Sequence, residues 1–419
     1  MRRRLPPALQ LRDFALVWSA ILSMRFAENM IAVAVGWQVY AIHRNPLDLG
    51  LVGLCEFLPL PLLALPAGNL ADRMPRRLIA AISLALMTTV AGALLVVTLA
   101  DARVAWPYFL LAGVTGVASA IGWPASQALT PEIVPVDLVP NAVALRSVAS
   151  TTAVISGPAI GGLLFAWRPE AVYGFAAFLF AVASVCMAAL QVPPRAREED
   201  EPVGLAALLE GLRFVWRTKI LLGAITLDLF AVLFGGGIAL LPIYARDILH
   251  VGPVGLGVLR AAPAAGAFAA ALWVARRPLR LPAGATLLVV VFLFGALHVA
   301  WGASHWLPLT LAALAAAGFV DMFSVNIRST TVALVTPNAL RGRVGAVEMV
   351  FISASNELGA FESGAVAAGI GAVKTVVAGG IATIGIAFAS IKAFPQLARM
   401  GRLEDLRAEP VGLTIAPPT

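Results

Sequence analysis

Gly68-Asn69-Leu70-Ala71-Asp72-Arg73-Met74-Pro75-Arg76-Arg77 separates two long apolar runs, residues 48–70 and 78–100. Three arginines and an aspartate within ten residues mark a joint held in water. The glycine permits a tight, closely packed helix end. An aspartate four residues later can accept from the free N–H groups at the start of a nearby helix. Each flanking run is long enough to cross a bilayer, which takes ~20 apolar residues as a helix. The runs are continuous rather than alternating, so they read as helices and not as barrel strands.

The same pattern fills the chain on both sides of this joint. Spans read at 14–42, 48–70, 78–100, 104–128, 142–166 and 171–191, then at 220–244, 253–275, 283–302, 305–327, 344–369 and 372–391. Composition agrees: 60% of residues are hydrophobic, 13% are charged, and mean hydropathy is +0.89. A soluble domain carries roughly 25% charged residues, so a soluble globule, a disordered chain and a disulfide scaffold are all excluded. Met1-Arg2-Arg3-Arg4 has the charge of a signal-peptide start. The apolar run behind it is too long and lacks a cleavage site, so an uncleaved first span is expected. Cys55 and Cys186 lie inside apolar runs and read as small buried hydrophobes.

Charge orients the spans. If both termini and the even-numbered joints share one side, that side carries 23 of the 30 Lys and Arg residues. The opposite joints carry five, Arg44, Arg103, Arg168, Arg246 and Lys374, while Arg25 and Arg260 fall within spans. The basic side is expected to be cytoplasmic. The net charge of +7 then belongs to loops facing anionic lipid and calls for no nucleic acid.

Pro193-Pro194 and Glu198-Glu199-Asp200-Glu201 interrupt the chain in its middle. Residues 203–217 then place Leu205, Leu208, Leu209, Leu212 and Trp216 on one side, which predicts a helix lying on the cytoplasmic membrane surface. The expected organisation is a six-helix bundle over 1–192, a linker over 193–219, a second bundle over 220–391 and a tail over 392–419. The halves repeat. A shift of 204 residues lays Val39-Tyr40-Ala41 on Ile243-Tyr244-Ala245, Pro59 on Pro263 and Glu56 on Arg260. Duplicated halves in one membrane chain are a pattern of secondary transporters, whose site lies near the midplane between them.

The ten-residue joint closely resembles the loop signature of the major facilitator superfamily, with Pro75 where that pattern has Gly. Ser156-Gly157-Pro158-Ala159-Ile160-Gly161-Gly162 resembles the span-five motif of that superfamily's proton antiporters. Residues 104–128 hold no Arg or Lys, so the antiporters' span-four arginine is missing. Ser353 to Gly364, together with Asn141 to Arg146, is similar to the enterobactin-exporter and macrolide-efflux branch. The resemblance implies an all-α integral membrane fold, with twelve transmembrane helices in two pseudo-symmetric six-helix bundles. It also implies alternating-access, proton-coupled efflux of amphipathic or hydrophobic small molecules by a monomer in the bacterial cytoplasmic membrane, without a cofactor. Gly68, Asp72, Arg73, Arg76 and Arg77 would form the inner gate, with Asp72 near Gly342-Arg343-Val344 in the outward-facing state. A proton-coupled importer of a small metabolite is the second reading, and a non-transporting receptor or scaffold the third.

Charged and polar residues inside the spans are the candidates for coupling. Each unpaired charge costs ~2.5–3.5 kcal/mol at mid-bilayer, so the charges should pair or face water. They are Arg25, Glu28 and Asn29 in span one, Glu56 in span two, Asp228 in span seven, Arg260 in span eight, and Asp321 and Asn326 in span ten. Glu28 leads as proton carrier, being mid-span, beside Asn29 and one turn from Arg25. Desolvation favours a neutral carboxyl and an adjacent arginine an ionised one, so a moving Arg25 can toggle proton affinity. Asp228 is expected to compete for Arg25 from the other half. Span eleven adds Glu348, Glu357 and Glu362. At about 100° per residue Glu348 and Glu362 fall roughly 40° apart and Glu357 opposite Glu348. Either Gly359 breaks that helix or one glutamate makes a structural contact. The histidines, His43, His250, His298 and His305, sit mostly at outer ends without metal-ligand spacing. No ATP-binding loop, zinc motif or hydrolase elbow occurs, so an ATP-driven pump and a membrane enzyme have no support.

The topology is checked with cysteines placed at Asp200 and at Asp101. An impermeant thiol reagent should label them from opposite sides of the membrane, and labelling from one side would refute the arrangement.

Overall fold

The computed structural model describes residues 6–63, 74–191, 205–277, 281–337 and 340–405. Every backbone group inside a bilayer needs an internal partner, and the described residues accordingly form helices and no strand. The first half holds α1 (Arg12–His43), α2 (Pro46–Phe57), α3 (Arg76–Leu99), α4 (Trp106–Ile133), α5 (Val139–Trp167) and α6 (Pro169–Ala188). The linker helix is α7 (Leu205–Arg217). The second half holds α8 (Lys219–Phe234), α9 (Gly252–Arg276), α10 (Ala283–Gly302), α11 (Leu307–Val335), α12 (Arg341–Ile370) and α13 (Ala372–Ala393). Eleven crossings among the described residues are long and apolar enough to span a membrane. α12 is the twelfth; it is as long as the others, but Glu348, Glu357 and Glu362 make it less apolar.

The two halves are six-helix bundles. In the first, α1 packs on α5 and α6, and α3 on α4 and α6; in the second, α11 packs on α9 and α10, and α10 on α13. Joints at the end remote from the termini, the far end, are tight. Arg44, Asp101 and His250 turn there with φ of 52°, 46° and 53°. Gly371, alone between α12 and α13, has φ 87°, a value that costs glycine nothing. Asn45 starts α2 by accepting the Leu47 N–H at 3.0 Å, and Pro46 supplies a first helical residue that needs no donor.

The halves meet chiefly through two helix pairs, α2 with α12 and α5 with α9. Gly162 of α5 lies against the Pro253 carbonyl, and Gly257 of α9 lies reciprocally against the Pro158 carbonyl. A methyl group at Gly50 of α2 would stand 3.0 Å from the Phe361 backbone, and one at Gly364 of α12 would stand 2.9 Å from that of Gly50. Polar contacts add to this at the far end. The Tyr40 hydroxyl donates to Asp247 at 2.5 Å, and Arg44 lies 3.7 Å from the same carboxylate. The Arg246 guanidinium stacks over Trp37 at 5.4 Å. Val33, Tyr40 and Leu49 share an apolar cluster with Leu240, Tyr244 and Trp301. The molecule is closed at the far end.

Three expectations change. Span seven is not one continuous helix: α8 ends at Phe234, and Gly235-Gly236-Gly237 leads into a 3-10 turn over Gly236–Leu240. A glycine costs a helix about 1 kcal/mol, and Gly236 also lies backbone-to-backbone against Gly359 of α12. Span ten runs on to Val335, which carries Arg328 into the bundle instead of into a loop. The linker helix is docked on protein as well as being amphipathic. Val215, 1% exposed, packs with Leu221, Ile225, Val332, Val344 and Val347, while Leu209 and Trp216 point outward. The ends of α8, α11 and α12 offer it an apolar surface, and Glu210 pairs with Arg343 beside that contact. Residues 193–204 of the expected linker lie outside the described residues.

Asp247→Ala should loosen the far-end closure by about 1.5–3 kcal/mol, the scale of a hydrogen bond to a charged group. Spin labels at Arg103 and His305 should then show a longer-distance population, with a smaller change for Tyr40→Phe. Identical distance distributions in both variants and the parent would count against this latch.

Candidate functional site

The first polar cluster lies between the halves. Arg25 pairs with Glu28 at 3.0 Å, one turn away on α1, and both side chains stay about one-third exposed at 35% and 28%. Asn29 makes no side-chain hydrogen bond to Glu28; its amide donates to the Arg25 carbonyl at 2.8 Å. Arg260 reaches across from α9 and donates to the Ala32 carbonyl of α1 at 2.7 Å. Its electrostatic neighbours are Glu56 of α2 and Glu357 of α12. The Glu357 carboxylate occupies the notch left by Gly53, where a methyl group would stand 3.0 Å from Oε2. Glu56 in turn neighbours both Glu357 and Glu28. Four helices from both halves therefore bring three carboxylates and two guanidiniums together. The expected Glu56–Arg260 relation exists as an electrostatic one, while the arginine's hydrogen bond goes to backbone.

The second cluster lies within the second half. Arg328 of α11, 4% exposed, pairs with Asp228 of α8 and places Nε 3.3 Å from Glu348 of α12. Asp228 therefore does not compete for Arg25; a nearer guanidinium in its own half holds it. α12 passes through Gly359 unbroken, so Glu348 makes the structural contact and Glu357 faces α2 from the opposite side. Glu362 contacts its neighbour Ser363 at 3.5 Å. Asp321 lines a small cavity with Asp228 and Ser324. Arg328 is the residue that sequence reading missed. The signal was present, because Asp321 and Arg328 are seven apart and share a helix face. Ending the span at residue 327 had cut the arginine off from it.

Of the inner-gate residues, Gly68, Asp72 and Arg73 lie outside the described residues. Arg76 pairs with Glu132 at the end of α4, and Arg77 donates to the Leu190 carbonyl beyond α6. Both tie the start of α3 to its own half. The motif on α5 serves two interfaces. A methyl at Gly157 would stand 2.9 Å from Asn29, and one at Gly161 would stand 2.9 Å from Met30, so both face α1. Gly162 faces α9, and Pro158 is buried inside the helix between them. Where span four lacks its arginine, Arg146 of α5 instead donates to Gln127 and Thr130 of α4. Asn141 accepts the Ala8 N–H at 3.2 Å, so this stretch anchors α5 to the N-terminal segment. His298 is not interfacial as expected; it is buried against Phe294 and Trp301, because α10 turns that face inward.

Residues 6–409 match the family described as transmembrane secretion effector. The chain belongs to this family of major facilitator transporters. It is 28% identical over 404 residues to the multidrug efflux pump Tap of Mycobacterium tuberculosis, covering 91% of this chain and 94% of that one. A shorter stretch of 143 residues is 27% identical to the staphyloferrin A transporter of Staphylococcus aureus, covering 34% and 36%. Among solved structures, a bacterial homolog of the human lysosomal transporter Spinster, inward-facing and unoccupied, superposes with a TM-score of 0.73 at 15% identity. That match covers 94% of this chain and 99% of the other. An inward-facing bacterial homologue of ferroportin gives 0.67 at 14% identity, covering 93% and 99%. These likenesses show the fold. The chain is a multi-pass membrane transporter and not an enzyme.

Arg328→Met should destabilise the protein by ~3–5 kcal/mol, since it strands two buried carboxylates. Arg25→Met should cost less, because that pair is about one-third exposed. Melting of purified protein in detergent tests the contrast, and Arg328→Met combined with Asp228→Asn and Glu348→Gln should recover much of the loss. Equal melting temperatures for the two single variants would contradict the assignment.

Proposed function

We propose that the chain is a proton-driven exporter of amphipathic or hydrophobic small molecules, of the drug or siderophore class. It works by alternating access in the bacterial cytoplasmic membrane, with both termini cytoplasmic. The supporting observation is the cluster of Arg25, Glu28, Glu56, Arg260 and Glu357, contributed by both halves at their junction. With the termini cytoplasmic, the far end that Tyr40, Arg44 and Asp247 close is the outer end. Arg25 and Glu28 share α1 and move together, so the changing charges are those of the opposite half. Opening the far end withdraws Arg260 from Ala32 and from Glu56. The first half is then left with Glu28 and Glu56 beside one arginine, and one of these carboxyls takes a proton. Returning Arg260 expels it. The staphyloferrin and multidrug relatives define the cargo classes to try first.

The test is flux in proteoliposomes under an imposed pH gradient, with a panel of siderophores and cationic and neutral drugs. Glu28→Gln should retain substrate binding and lose gradient-driven export. Full gradient-driven flux in Glu28→Gln, at parental protein levels, moves the coupling role to Glu56, Glu357 or Glu362.

A further inference from the structure

α11 presents Asp321, Ser324 and Arg328 at spacings of three and four, which is one face of a helix. Asp321 lies midway along Leu307–Val335, and Arg328 follows about 10 Å further along the axis. Around this face three carboxylates share one guanidinium. Arg328 commits Nη1 to Asp228 and Nε to Glu348. Asp321 has no hydrogen bond or ion pair among the described residues; its electrostatic neighbours are Asp228 and Arg328. One positive charge cannot balance three negative ones inside a membrane protein, where every uncompensated ion keeps its desolvation cost.

A second observation points into the same place. Asp228, Asp321 and Ser324 line a cavity of about 10 Å³, room for about one water. Ser324 is 4% exposed, and its hydroxyl makes no hydrogen bond among the described residues. The rest of the wall is apolar, with Phe294 of α10 the largest side chain. His298, one turn along α10, directs Nδ1 to the Phe294 carbonyl. α9 meets α11 at Ala315 and Gly318 through Gly266 and Pro263, and its Arg260 faces Glu56 and Glu357 instead. Glu348, from α12, meets Arg328 at Nε, 3.3 Å away.

We propose that this cluster is a proton-binding site in the second half, separate from the site around Glu28. The proton adds to the Asp321 carboxylate, and the resulting O–H donates to the Ser324 oxygen. Arg328 stays paired with Asp228 and Glu348 beside it. The cavity suits a proton carried on a carboxyl and is too small for a hydrated cation. The inference is independent of the export reading, because protonation is read without transport.

Infrared difference spectra of the full-length protein in lipid nanodiscs, taken between acid and alkaline pH, record the C=O stretch of protonated carboxyls. A component of that band should vanish in Asp321→Asn, shift in Ser324→Ala and persist in Glu28→Gln. An unchanged band in folded Asp321→Asn overturns the site. So does a band that follows the exchange of sodium for choline at constant pH, which would mark a sodium site. If Asp321→Asn does not fold, Asp321→Glu and Ser324→Ala decide: a shifted band in either supports the site, and an unshifted band in both rejects it. Failure here leaves the Glu28 reading to its own flux test.

Discussion

An ionised side chain at the centre of a bilayer must find an opposite charge, a backbone carbonyl or water, because hydrocarbon offers none of them. This chain meets that demand in two different ways. Arg328 is closed in by two carboxylates from helices of its own half, so the pair network moves as one body with that half. Arg260 instead takes a carbonyl from the other half, and its acidic neighbours come from both sides of the junction. The first arrangement holds a bundle together. The second depends on how the two bundles are disposed, and so can register a change in that disposition.

Glycines make the second arrangement reachable. Arg260 reaches α1 because α5 and α9 cross with their backbones in contact, Gly162 against Pro253 and Gly257 against Pro158. The crossing of α2 and α12 at Gly50, Gly53 and Gly364 brings Glu357 beside Glu56 in the same way. Without a hydrophobic drive between helices in lipid, such close approach supplies the packing energy of the junction. The α5 motif is therefore part of the machinery as a spacer: its residues set the distances at which the charged groups meet. Tyr40, Arg44 and Asp247 then hold the far end shut.

Much of this was legible from residue types alone. Continuous apolar runs, tight joints and the placement of Lys and Arg required a helical membrane fold with duplicated halves. Arg25, Glu28, Glu56, Arg260 and Glu357 stood out because each is expensive where it sits. What went astray did so for local reasons. A three-glycine run unwound the end of span seven, and a helix that ran past residue 327 turned an assumed loop arginine into the anchor of a buried network. The amphipathic linker found a protein surface to dock on, which periodicity cannot distinguish from a membrane.

The division is physical. Sequence by itself determined which segments cross, how many there are and which side chains are too polar to be left unpaired, since these depend on composition and spacing along one helix. Only the tertiary structure decided the pairings. Asp228 met Arg328 rather than Arg25, and Glu348 rather than Glu357 became structural. Partners in a bundle come from other helices, whose rotation and crossing are set by packing between surfaces far apart in the chain.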